Sequence, residues 1–96
     1  MRFTFHPEAE TEFDQAVAYY EHRQNGLGLE LADEVLATIA RILDYPQAGP
    51  LFSKNTRRCL TNRFPYGIIY QMHMNIVQII AVAHLSRRPG YWEDRV

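Results

Sequence analysis

Tyr66–Ala83 reads YGIIYQMHMNIVQIIAVA, and this stretch decides the fold. Tyr66 to Met74 is rich in aromatic and β-branched residues and Ile76 to Ala83 is almost wholly apolar, both of which favour strands. Met74-Asn75 stands between the two runs, a spacing that predicts a tight hairpin. A strand that is apolar along its whole length is covered on both faces, so Ile76 to Ala83 is expected at the centre of a sheet. Phe64-Pro65-Tyr66 marks the turn before the hairpin. Arg57 to Arg63, which alternates unevenly, supplies a further strand.

Upstream, Gln47-Ala48-Gly49-Pro50 reads as a loop. Before it, Leu31, Val35, Leu36, Ile39, Ile42 and Leu43 form a wide apolar stripe, predicting a helix that begins near Leu29 and ends at Tyr45-Pro46. Asn25-Gly26-Leu27-Gly28 separates this helix from an earlier one, because glycine accepts the positive φ that a tight turn requires. The earlier helix opens at Pro7, carries Glu8, Glu10, Glu12 and Asp14 near the positive end of its dipole, and places Ala9, Phe13, Ala16, Val17 and Tyr20 on one buried face. Two helices joined by so short a loop are antiparallel neighbours. Arg2 to Phe5 alternates briefly, as a strand does, before the His6-Pro7 break. The expected architecture is α+β in the order β-α-α-β-β-β, an antiparallel helical hairpin packed on a mostly antiparallel sheet, with residues 1–96 as a single domain.

The chain has 96 residues and 11.2 kDa, enough for one core and too little for two. An apolar fraction of 47% with 22% charged residues argues against disorder. No apolar run approaches the roughly 18 to 20 residues that span a bilayer, and Met1 to Phe5 opens without a leader core, so a cytoplasmic protein without membrane attachment is expected. The one cysteine, Cys59, excludes an internal disulfide and a cysteine-rich zinc site. His6, His22, His73 and His84 are scattered singly, so no metal is expected; Gly26-Leu27-Gly28 lacks the remaining glycines of a phosphate loop, so no cofactor is expected either. Cys59 sits among Arg57, Arg58 and Arg63, which could make its thiol reactive, but a buried strand cysteine behaving as a small hydrophobe is the better reading.

A net charge of -1 hides a polarity. Residues 1–50 carry three basic groups against nine acids, a net of -6, whereas residues 51–92 carry six basic groups and no acid, a net of +6. Grouped charge of this kind steers toward nucleic acid, an acidic protein or an acidic pocket. The alternative is that the two halves attract each other within the fold.

His84-Leu85-Ser86-Arg87-Arg88-Pro89-Gly90-Tyr91-Trp92 follows directly on the most apolar strand. A histidine, two arginines, a tyrosine and a tryptophan are what metal-free RNA cleavage needs: a general acid or base, cations for the phosphorane, and a surface on which a base stacks. The competing reading makes His84 a strand-end histidine bonded to backbone, Tyr91 and Trp92 a cover for the sheet, and the arginines solvated. Arg57 and Arg58 divide in the same way between a functional surface and pairing with the acidic first helix.

Phe5-His6-Pro7-Glu8-Ala9, Glu12-Phe13, Tyr19-Tyr20-Glu21, Gly26-Leu27-Gly28, Arg57-Arg58, Phe64-Pro65-Tyr66, Ala81-Val82-Ala83-His84 and Arg88-Pro89-Gly90-Tyr91-Trp92 stand in the order in which the RelE/ParE superfamily of type II toxins carries its motifs. The chain resembles that superfamily nearly end to end, and the resemblance implies the β-α-α-β-β-β fold, a growth-arresting toxin and a cognate antitoxin that neutralises it. One branch cuts mRNA on the ribosome and usually places a basic residue just after the tyrosine that is Tyr66 here; that position is Gly67, and Arg58, Arg88 and Tyr91 alone match the cleavage set, with His84 a possible substitute. The other branch inhibits DNA gyrase without a catalytic set. The resemblance therefore favours a gyrase inhibitor that is not an enzyme. The alternatives are a metal-independent, ribosome-dependent endoribonuclease and an inactive or retargeted member. Arg57, Arg58, His84, Arg87, Arg88, Tyr91 and Trp92 are the expected target-binding surface; for cleavage, Arg58 and Arg88 would hold phosphate, His84 or Tyr91 move a proton, and Trp92 stack a base.

Overall fold

The computed structural model describes residues 2–96; Met1, part of the stretch read for a leader, lies outside the described residues. Strand β1 (Arg2–Phe5) leads into helices α1 (Pro7–Arg23) and α2 (Leu27–Asp44), and strands β2 (Thr56–Leu60), β3 (Tyr66–His73) and β4 (Ile76–His84) follow. The sheet order is β1-β4-β3-β2, with β1 parallel to β4 and the other pairs antiparallel. The expected element order, the mostly antiparallel sheet and the central position of β4 are all present.

Local chemistry accounts for the helix ends. Pro7 takes the first turn of α1, and the His6 ring accepts a hydrogen bond from the Glu8 N–H at 3.1 Å. Gly26 turns the chain at φ +84°, and the Glu21 carboxylate of α1 accepts from the N–H groups of Gly26 and Gly28 at 2.8 and 3.0 Å. The cap of α2 thus comes from α1, and it starts α2 at Leu27, two residues earlier than the apolar stripe alone predicts. A Cβ on Gly28 would lie 2.3 Å from the Val17 carbonyl oxygen, so glycine here lets the two helices meet backbone to backbone. Met74 and Asn75 both take positive φ, 51° and 64°, the primed turn whose twist matches its flanking strands.

Two apolar layers sandwich the sheet. On the helix side Ala9 and Ala16 of α1 and Leu31, Val35, Ile39 and Ile42 of α2 pack on Ile68, Tyr70, Val77 and Ile79. Leu36, expected in the α2 stripe, is 47% exposed, because the apolar arc of α2 is wider than the face the sheet covers. Cys59 is half-buried, and its side chain packs against this layer. On the opposite face Ile69, Ile80, Ala81 and Ala83 are covered by Trp92, which is 6% exposed. Ile69 pairs with Ala81 and Tyr70 with Ile79, leaving Ile80 as a bulge residue; both Ile80 and Ala81 join this second layer.

Candidate functional site

Strand β1 ends at Phe5, and His6 makes the last backbone contact to β4 by donating to the Ile79 carbonyl at 2.8 Å. Beyond that point the outer edge of β4 would present unpaired groups. Two side chains distant in sequence take them instead: the Val82 N–H donates to Glu12 Oε1 at 3.0 Å, and Arg95 donates to the Ile80 carbonyl at 3.0 Å. Arg95 also grips both Glu12 oxygens at 3.0 and 2.9 Å, with Glu8 a looser partner at 3.7 Å. Side-chain exposures of 7% for Arg95 and 14% for Glu12 make this a buried pair, and hydrogen bonding to Glu12, which outweighs burial, raises the Arg95 guanidinium above its usual value.

Tyr91 completes the clasp. Its hydroxyl donates to Glu12 Oε2 at 2.8 Å, and the Arg87 guanidinium lies over its ring at 3.9 Å from the centroid. Burial, reinforced by the bond to the Glu12 carboxylate, pushes the Tyr91 hydroxyl far above its ordinary range. A phenol so held is a poor proton acceptor, and its one proton is already given to Glu12. Trp92, next along, is spent covering the sheet and offers no open ring for a base.

Arg57 and Arg58 part company, as neighbours on a strand do. Arg57 lies on the helix side and donates to the carbonyls of Gln47 and Gly49, holding the loop before β2. Arg58 lies on the other face, with its guanidinium 5.0 Å from the centre of the Phe52 ring. Its stem crosses Gly67: a Cβ there would come within 3.1 and 3.2 Å of Arg58 Cδ and Cγ. Gly67 therefore makes room for Arg58. Arg58, Arg88, Ile69, Pro89 and Trp92 line one shallow cleft of about 100 Å³.

His84, at the end of β4, borders that cleft but turns its ring edge-to-face onto Tyr66, 5.2 Å between centroids. Its Nδ1 accepts from the Ser86 N–H at 3.0 Å, which is the backbone-bonded histidine of the second reading. Burial first, then the neighbouring Tyr20 hydroxyl, pushes Tyr66 up to about 12. Of the seven expected surface residues, the fold gathers Arg58, Arg87, Arg88, Tyr91 and Trp92 on one side, places His84 at its margin and sends Arg57 elsewhere.

Electrostatics divide along the same line. Arg63 pairs with Glu30 and Glu34. Burial opposes ionisation of Glu34, but the N–H groups of Phe64, Arg63 and Asn62 and the Arg63 charge outweigh it, holding the carboxyl below its usual value. Arg58, Arg87 and Arg88 have no carboxylate at ion-pair distance among the described residues. Arg63 and Arg95 thus pair with Glu30 and Glu34 and with Glu8 and Glu12 of the acidic helices, and among the described residues no ion pair joins Arg57 or Arg58 to the first helix. Sequence reading passed over Glu12 and Arg95, taking Glu12 for a dipole charge. Among the described residues no group of histidines, cysteines and acids could hold a metal ion, and no helix is long and apolar enough to cross a membrane.

Comparison with known proteins finds a family and solved structures of like fold. The family model described as the ParE toxin of the type II toxin-antitoxin system, parDE, matches residues 3–89. Among solved structures, a chain of the chromosomal ParDE TA system from P. aeruginosa superposes with a TM-score of 0.75, covering 90% of this chain and 97% of that one at 13% identity, which is a likeness of fold. No curated protein matches the sequence.

Proposed function

The chain belongs to the ParE toxin family of type II toxin-antitoxin systems, and from that premise we propose that it arrests growth in the cytoplasm by engaging DNA gyrase, with a cognate antitoxin holding it silent. The tie of Tyr91 to Glu12 carries this reading over mRNA cleavage. Cleavage needs a mobile proton donor or acceptor beside the phosphate and cations aimed at developing charge, and loss of one such group typically costs on the order of a hundredfold in rate. Here the tyrosine is clasped, the tryptophan is buried, His84 is bonded to backbone, and a glycine stands in the place of the cation. What remains is a binding surface built on Arg58, Arg87 and Arg88, with Tyr91 and Trp92 as its support and His84 at its rim.

Induced expression without antitoxin, followed within minutes by separate labelling of DNA and protein synthesis and by mapping of mRNA 5′ ends, tests the proposal. DNA synthesis is expected to fall first while transcripts stay whole. Translation stopping first, with new cuts inside ribosome-bound codons, would replace gyrase with mRNA as the target.

A further inference from the structure

Beside the cleft of about 100 Å³ lies a larger hollow of about 240 Å³, whose walls add Phe52 and Glu93 to the Arg58, Ile69, Pro89 and Trp92 that the two share. This larger hollow carries one charge of each sign. Arg58 is exposed, its guanidinium 5.0 Å from the centre of the Phe52 ring and its stem lying across Gly67. Glu93 is half-buried and held against the turn at Gly90: φ there is +78°, a Cβ would come within 3.1 Å of Glu93 Oε2, and the Glu93 N–H donates to the Gly90 carbonyl at 2.9 Å. Arg58 and Glu93 line the same space yet stand beyond ion-pair distance of each other. Opposite charges kept apart over apolar Ile69, Pro89 and Trp92 leave room for a third body that answers both.

Size and charge together narrow what that body is. A volume of about 240 Å³ falls just below the roughly 300 to 1,000 Å³ of pockets that take drug-sized molecules, so the occupant is small. A phosphate or a simple carboxylate would answer Arg58 and meet Glu93 as a like charge; a simple amine would do the reverse. A residue within a peptide brings neither charge from its backbone, and a terminal residue brings one. A free amino acid brings both, on one carbon, together with a side chain for the apolar wall. An ionised Glu93 has lone pairs for an ammonium in addition to any bond it already accepts, and the planar guanidinium of Arg58 suits a carboxylate.

We propose that this hollow binds a free aliphatic amino acid of about the size of leucine as its zwitterion. Arg58 takes the carboxylate, Glu93 takes the ammonium, and Ile69, Pro89 and Trp92 take the side chain. Two glycines belong to the device: Gly67 lets the Arg58 stem lie across β3, and Gly90 lets the Glu93 carboxylate come close to the turn. The inference goes beyond the toxin reading and does not depend on it.

The test titrates the full chain at neutral pH with L-leucine, N-acetyl-L-leucine, which keeps only the carboxylate, and L-leucinamide, which keeps only the ammonium. Two-dimensional NMR reads the shifts of the backbone amides and of the Trp92 indole. L-Leucine is expected to move Ile69, Gly90 and the Trp92 indole, with half-saturation on the order of 1 mM. Each analogue is expected to bind about tenfold more weakly, having lost one charge-assisted contact. Because these comparisons change the ligand, they hold even if a variant of the protein fails to fold. Two variants then assign the ends: Arg58→Gln should erase the preference for L-leucine over L-leucinamide, and Glu93→Gln its preference over N-acetyl-L-leucine. No saturable shift with L-leucine up to about 20 mM would overturn the site. N-Acetyl-L-leucine or L-leucinamide binding as tightly as L-leucine would overturn the paired recognition, and shifts confined to residues away from the hollow would overturn its location.

Discussion

The face of the sheet under α1 and α2 and the face under the C-terminal segment draw on the same central strands, yet they are closed by different means. Two helices of 17 and 18 residues lay a continuous apolar surface on Ile68, Tyr70, Val77 and Ile79. The other face has one large ring, Trp92, held in place by a clasp of Glu12, Tyr91 and Arg95. Area secures the first face and a few directed bonds secure the second. The lesson is that the economical cover leaves room: the back face keeps an open half where, among the described residues, Arg58 and Arg88 have no carboxylate at ion-pair distance.

Three variants test this contrast, from the largest effect to the smallest. Trp92→Ala strips the back face of its cover and is expected to destabilise the protein by about 3 to 5 kcal/mol, read from denaturant unfolding. A loss below about 1 kcal/mol would mean that the segment is not part of the folded unit. Glu12→Ala leaves the Arg95 guanidinium and the Val82 N–H buried without their acceptor and is expected to cost about 3 kcal/mol. Its effect should shrink markedly in an Arg95→Ala background, because the two residues act as one clasp. Glu34→Gln probes the helix side, where a carboxylate ties α2 to the turn between β2 and β3, and is expected to cost about 1 to 2 kcal/mol at neutral pH. Because the folded protein holds Glu34 below its ordinary value of 4.5, its contribution is fully present above that value and is lost as pH falls through the lower folded value. Urea midpoints of parent and variant should therefore differ at pH 7 and converge in acid; a constant gap would show that the loss is packing and not charge.

Periodicity made the helices, the hairpin and the central strand legible, since each is decided within a dozen residues by spacing and turn chemistry. The start of α2 was less so, because its cap is Glu21, on the other helix. Strand alternation alone would have separated Arg57 from Arg58, and reading them as one patch missed that signal. Tyr91 and Trp92 were read as part of a target-binding surface, but their local sequence could not say whether they face a ligand or the sheet. That choice is made by Glu12, 79 residues from Tyr91 and 83 from Arg95, and no local pattern reports a contact of that span. Gly67 read as a missing cation; its steric role needed the position of Arg58 across the strand pair.

The parallel pairing of Arg2–Phe5 with Ile76–Ile79 has a kinetic meaning as well. Strand β1 has no partner until β4 has been made, and the edge of β4 beyond it waits for Arg95. Loop closure over such distances is slow compared with forming the helical hairpin, which needs only its own residues. A nascent chain therefore holds α1 and α2 before the arginine-bearing face, whose cover is complete only once Glu12 has met Tyr91 and Arg95.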